Sequence, residues 1–339
     1  MAGESRVGAA GARTQVPLVW AALAVVYIVW GSTYLAIRVT IETIPPMISA
    51  SLRFLIAGSI LYAFAIRRGD RADRPGFAQW RSSAIVGALL FLGGNGGVVW
   101  AEQRIPSGIA ALLVATVPLW MALIGYVALR ERLSAIAVAG LLVGFAGTAL
   151  LIRPSGEGAV DTLGALVVVF ASLSWAIGSL YSRRAPLPKR PLVSASMQMI
   201  CGGVALGIAG IVGGELGRFE PASFSRSSIL AFFYLIFFGA IAAFSCYAWL
   251  LRVAPTSLVS TYAYVNPVVA VALGWAIVDE RVEPLTFVAG AIIVAAVAMI
   301  VTGRRIEEPG ELAAGVPPVD ELDPDAPGPP PGMSPSRPR

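Results

Sequence analysis

The chain has 339 residues, 57% hydrophobic and only 13% charged, with a net charge of +5 and a mean hydropathy of +0.76. Soluble domains carry about 25% charged residues, so an ordinary soluble domain is excluded. The positive balance is no nucleic-acid footprint either: Lys189 is the sole lysine, and most arginines sit in short loops between apolar runs.

Those runs, each about 20 residues and long enough to cross a bilayer, predict ten spans in chain order. The first, 17–38, is too long for a cleaved leader and lacks a small-residue cleavage site. It carries Trp30, Thr33 and Tyr34 as a polar-aromatic stripe. The second, 45–66, holds Arg53 about nine residues in, or about 12–14 Å deep. A charge there costs about 2.5–3.5 kcal/mol on insertion scales, so it is expected to face a cavity or a partner. It is read as the receiver of an anionic group; an ion pair with Glu102 or snorkelling to the outer interface is the structural alternative. The third, 82–101, contains Gly93, Gly94, Asn95, Gly96 and Gly97, and Glu102 follows at its outer end. Spans four and five, 106–127 and 135–152, bring Pro118 and the glycines Gly140, Gly144 and Gly147, which permit close helix contact.

The sixth span, 161–182, echoes the first with Trp175 and Ser179, and the seventh, 191–213, holds Gln198. The eighth, 228–251, carries Tyr247; the ninth, 256–278, carries Tyr262 and Asn266 on one helical face just before Pro267; the tenth is 284–302. Residues 1–16 form a short N-terminal arm. Residues 303–339, rich in proline and acid with little to bury, read as a disordered cytoplasmic tail.

Lys and Arg are distributed unevenly between the two sets of loops. With the N-terminus inside, eighteen fall on the cytoplasmic side and six on the other, leaving Arg53 within a span. The orientation is N-in and C-in.

The chain also repeats itself. At an offset of 149 residues, Trp100, Pro106, Pro118, Gly125, Glu131 and Arg132 fall on Trp249, Pro255, Pro267, Gly274, Glu280 and Arg281. At 145, Trp30, Arg38 and Pro46 fall on Trp175, Arg183 and Pro191, and Ser49-Ala50-Ser51 falls on Ser194-Ala195-Ser196. The predicted fold is therefore an all-α integral membrane protein of ten transmembrane helices, with five-helix repeats at 17–152 and 160–302. Five is odd, so the second copy enters the membrane from the opposite side. Inverted repeats of this kind suit alternating access to a site near mid-membrane.

The arrangement resembles the EamA-type permeases of the drug/metabolite transporter superfamily. The resemblance rests on "VWGSTYLAIR", "SASLRF", "GGNGGVVWAEQRIPSGIAALLVATVPLW", "RERLS" and, in the second half, "NPVVAVALGWAIVDERV". It implies a ten-helix inner-membrane carrier that exports amino acids or other small metabolites. A lipid or hydrophobic-drug flippase on the same fold is the alternative.

The repeat sorts the polar residues. Shared positions such as Pro118 and Pro267 are expected hinges. Positions that differ are expected substrate contacts, since an asymmetric solute cannot satisfy two identical half-sites. Asn95 has Phe244 as its mate, Asn266 has Val117, and Arg53 has Gln198. With the aromatic residues, the expected substrate site is Arg53, Asn95, Trp30, Thr33, Tyr34, Trp175, Ser179, Gln198, Tyr247, Tyr262 and Asn266; packing or interfacial anchoring is the competing reading for each aromatic. Glu102 is the coupling candidate. The repeated Glu131-Arg132 and Glu280-Arg281 pairs read as structural loop closers.

No GxxxxGK[ST] nucleotide-binding motif occurs, and there is no histidine for triads, HExxH zinc sites or a proton relay. Cys201 and Cys246 lie in apolar segments and make no metal cluster. An enzyme is not expected, nor a cofactor or metal. The expected partners are a small-molecule substrate, the lipid bilayer and, through the span-five glycines, a second copy of the chain; nucleic acid is not expected.

Overall fold

The computed structural model describes residues 4–67, 74–130, 133–152, 160–254, 256–259, 261–278, 280 and 283–313. These residues form helices throughout, with no strand among them. We number the principal helices α1 (Glu4–Thr40, apolar from Pro17), α2 (Pro46–Arg67), α3 (Phe77–Ala101), α4 (Ser107–Ala128) and α5 (Ala135–Ile152). The second half follows with α6 (Thr162–Ser182), α7 (Pro191–Val212), α8 (Arg226–Leu250), α9 (Tyr262–Val278) and α10 (Pro284–Ala313). Nine have the length and apolar character to cross a membrane, and the tenth, α9, has a shorter apolar core at Val265–Val278.

Chemistry at the helix ends explains the boundaries. Pro46, Pro191 and Pro284 open their helices, where the missing N–H leaves no bond unmade. The Asp161 carboxylate accepts from Gly164 N at 2.6 Å to start α6, and Ser225 Oγ accepts from Ser228 N at 3.1 Å to start α8. Two helices take their caps from distant carboxylates. Glu215, beyond α7, accepts from Met47 N (3.2 Å) and Ile48 N (3.0 Å) at the start of α2. Glu280, beyond α9, accepts from Ser107 N (2.8 Å) and Gly108 N (3.2 Å) at the start of α4. Glu131, Arg132 and Arg281, the other members of the repeated charge pairs, lie outside the described residues.

The sequence predicts one unbroken ninth span, 256–278. The structure splits it into a single turn, Thr256–Val259, and α9 proper. Thr261 donates twice to Leu258 O, from its backbone N at 3.2 Å and from Oγ1 at 2.5 Å, and Oγ1 is also hydrogen-bonded to Tyr27 OH of α1. Such local bonds compete with the helical ladder. At the other end of the half, α10 continues as helix to Ala313, past the predicted boundary at 302. Extending a formed helix costs far less than nucleating one. The rest of the tail lies outside the described residues.

The halves interlock, and most of the principal packings have a counterpart when the halves are exchanged. α2 runs along α7 and α5 along α10; α1 on α9 is matched by α6 on α4, α1 on α8 by α6 on α3, and α2 on α8 by α7 on α3. The span-five glycines serve the α5–α10 contact. A Cβ on Gly140 would lie 2.8 Å from Ala296 O, and one on Gly147 would lie 2.8 Å from Ile292 Cγ2. That glycine face is thus filled from within the chain.

α4 is interrupted by a turn at Ala115–Thr116, with Pro118 in the first turn of its second half. The first half, Ser107–Val114, packs on α9, α6 and α1, whereas the second half packs on α6, α5 and α10. Gly108 brings α4 and α9 together: a Cβ there would lie 3.2 Å from Val271 Cα. With the arginine-based orientation, this α4–α9 contact lies in the outer half of the molecule. Pro267, the mate of Pro118, lies inside a continuous helix.

Candidate functional site

Both halves carry a π-helical segment at related positions, Ala88–Gly96 in α3 and Leu235–Ala242 in α8. A π turn loosens the backbone ladder, and such turns recur at functional sites. Each is engaged by a side chain from the first helix of the opposite half. Trp30 Nε1 of α1 donates to Gly239 O at 3.2 Å, and Ser174 Oγ of α6 donates to Leu89 O at 2.8 Å.

Gly239 is the meeting point on the α8 side. A Cβ there would lie 3.2 Å from Thr33 Cγ2 and 3.4 Å from Arg53 Nη2. Thr33 is held in place by Oγ1 donating to Trp30 O at 2.6 Å. Arg53 is 6% exposed; its guanidinium lies 4.7 Å from the centroid of the Phe54 ring, and its Nε is buried without a hydrogen-bond partner. Buried charges normally find partners. The ion pair with Glu102, the structural alternative, is not formed, since neither Glu102 carboxylate oxygen has a hydrogen-bond partner.

Beside this point α1, α8 and α9 bring four aromatic rings together. Trp30 lies 5.7 Å from Phe244, 5.1 Å from Tyr247 and 5.2 Å from Tyr262, centroid to centroid, and Tyr247 lies 5.8 Å from Tyr262. Replacing Trp30 by Phe keeps most of this ring packing and removes the bond to Gly239 O. We expect about 1 kcal/mol lower stability, read as earlier thermal unfolding of the purified protein in detergent.

On the α3 side the glycines form a bed for α6. A Cβ on Gly94 would lie 2.7 Å from the Trp175 ring and one on Gly97 would lie 2.8 Å from Ala171 Cβ, while one on Gly93 would overlap Ser174 Oγ. Gly96 faces the other way, toward Leu206 of α7. Asn95 sits half-buried in the π segment between them. Asn266 of α9 is 8% exposed with Oδ1 unpartnered, and Tyr34 packs against the core shared by α4 and α6.

The structure thus brings Arg53, Thr33, Trp30, Tyr247 and Tyr262 into one neighbourhood, and Asn95 and Trp175 into another. Two expected residues stand apart. Gln198 donates Nε2 to Ser194 Oγ (2.9 Å) on its own helix, with its backbone carbonyl against Gly87. Ser179 lies one turn from the cytoplasmic end of α6. Gly239 and Phe244 belong to the site and escape sequence reasoning: glycine offers no side-chain signal, and Phe244 reads as lipid-facing or core.

Glu102 stands in the turn just beyond α3, fully buried, with Arg38 Nη1 donating to its backbone carbonyl at 2.5 Å. Burial, reinforced by the Glu280 carboxylate, holds its side chain well above the usual carboxylate range against the pull of Arg38 and Arg53.

Two interlocked halves of apolar helices around a buried arginine with an unpartnered Nε fit a membrane carrier. Comparison with known proteins gives the family: the chain belongs to the EamA-like transporter family, whose model matches residues 17–153 and again 162–302. It is a transporter rather than an enzyme, and a multi-pass inner-membrane protein. Among its relatives is the uncharacterized inner membrane transporter YedA of Escherichia coli strain K12, 38% identical over 300 residues that cover 87% of this chain and 94% of the relative. A second relative from the same strain, named a probable amino-acid metabolite efflux pump, is 26% identical over 83% of this chain and 93% of its own length. A crystal structure shares the fold with a TM-score of 0.57, at 24% identity over 86% of this chain and 99% of the other.

Proposed function

We propose that this carrier exports small carboxylate-bearing metabolites, amino acids foremost, by alternating access between its two halves. The observation that carries the reading is Arg53, a buried guanidinium with an unpartnered Nε beside the loosened α8 backbone at Gly239. A solute carboxylate would supply the missing partner through charge-assisted bonds. Thr33, Trp30, Tyr247 and Tyr262 would bound the rest of the solute, and Asn95 and Trp175 would form a second contact region on the α3 side. The efflux-pump relative agrees with both substrate class and direction.

The test is flux in proteoliposomes loaded with labelled amino acids, hydrophobic drugs or labelled lipid, with and without a pH gradient. Saturable movement of amino acids supports the reading. Movement of lipid or drugs alone would replace it with a flippase, and movement of nothing would refute it.

A further inference from the structure

The outer closure between α4 and α9 contains a pair of carboxylates that solute binding does not account for. Glu280 joins the two helices there, with its carboxylate on the first two N–H groups of α4. That position meets the positive end of the helix dipole. Gly274 leaves the room: a Cβ on it would collide with the Glu280 carboxylate. The second carboxylate, Glu102, is 0% exposed on the turn that leads into α4, and neither of its oxygens has a hydrogen-bond partner. Ser107 Oγ, also 0% exposed, is likewise unpartnered.

We propose that Glu102 and Glu280 form a proton-operated lock on the outer gate, closed while Glu102 holds a proton and released when that proton passes to outside water. The proposal rests on the carrier reading with Glu102 at the coupling position. It adds the partner residue, the gate on which the proton acts, and the sign of its effect.

The groups that face Glu102 are Tyr34 and Arg38 from α1, Arg53 from α2 and Glu280 from beyond α9. Arg104, on the same turn, is stacked on Trp100 with its guanidinium 4.1 Å from the ring centroid. An ionised carboxylate without hydrogen bonds in a dry site is costly, and a second carboxylate nearby adds repulsion. A proton on Glu102 removes both costs and leaves Glu280 on the α4 N-terminus. Opening the gate hydrates Glu102, so its affinity for the proton falls toward that of an ordinary carboxyl. The closed gate therefore binds a proton that the open gate releases. Its advantage is complete below the ordinary carboxylate range and is lost as pH rises through the raised value. On opening, an O–H bond of Glu102 breaks, and the proton leaves on external water.

The experiment reads the gate without any solute. In a background with Cys201→Ser and Cys246→Ser, Ile105→Cys places a reporter in the buried outer turn, and Leu216→Cys, on an exposed outer position, reports the reagent's own pH dependence. Proteoliposomes are treated from outside with a membrane-impermeant thiol reagent. Relative to the Leu216 reporter, Ile105→Cys labelling should rise about tenfold as the pH is raised from the ordinary carboxylate range through the titration of Glu102 to the alkaline side. Glu102→Gln should hold labelling low and flat, Glu102→Asp should restore the slope, and Glu280→Gln should raise labelling at every pH. A flat profile with Glu102 intact, or an unchanged slope in Glu102→Gln, overturns the proposal. Failure of the flux assay with this profile intact would count against the carrier reading and leave the lock standing.

Discussion

Arg53→Gln is expected to cut the transport of carboxylate-bearing solutes by about 30- to 4,000-fold at low solute concentration. Removing one partner of a desolvated charge pair costs about 2–5 kcal/mol, and about 1.4 kcal/mol is tenfold. Gln keeps polarity and most of the volume, so the loss reports charge rather than shape. Arg53→Lys keeps the charge but lacks the planar fork that grips a carboxylate at two points, so it should fall between. Stability should move in the opposite direction. In the solute-free protein Arg53 Nε is buried without a partner, and a buried charge without full compensation is a cost. The Gln variant should therefore unfold no earlier than the parent. Normal uptake of every carboxylate solute by a well-expressed Arg53→Gln protein would reduce Arg53 to a structural residue.

The second large effect concerns the fold. Gly87 and Gly202 mark where α3 crosses α7. A Cβ on Gly87 would lie 2.5 Å from Gln198 O and 2.9 Å from Gly202 N, and one on Gly202 would lie 2.5 Å from Phe91 Cβ and 2.7 Å from Gly87 O. These neighbours are mostly backbone, so no flexible side chain can swing aside. Overpacking of a tight core costs about 1–3 kcal/mol, and we expect at least that from Gly87→Ala or Gly202→Ala, with Gly87→Val failing to yield folded protein. Because the two residues touch, the double alanine variant should lose less than the sum of the singles. Once one residue has forced the helices apart, the second methyl has room. Monodispersity in detergent and unfolding temperature measure this, and unchanged values for both single variants would show that the crossing is looser than it looks.

The sequence reading and the structure agree where a residue type carries its own physical signal. Span length and composition are dictated by the bilayer, so the helices were legible. The duplication was legible from Trp30, Pro118 and Glu131 meeting Trp175, Pro267 and Glu280. Arg53 and Glu102 stood out because charge is rare in an apolar run. Backbone features left no such trace. The π segments lie in runs such as "ALLFLGGNG" and "LIFFGAIA", whose composition suits an α-helix equally well. Gly239 is defined by what approaches it, and Gln198 by an intrahelical bond to Ser194. The Glu280 pair read as a loop closer because sequence does not reveal which distant helix a carboxylate caps.

The paired π segments also belong to the repeated unit itself. A π stretch holds more residues per turn than the α-helix around it, so it records spare residues in the chain. At the offset of 149 that aligns Trp100 with Trp249, the segments Ala88–Gly96 and Leu235–Ala242 overlap. The spare residues are thus part of the five-helix unit that recurs, although its two copies differ enough to set Asn95 opposite Phe244.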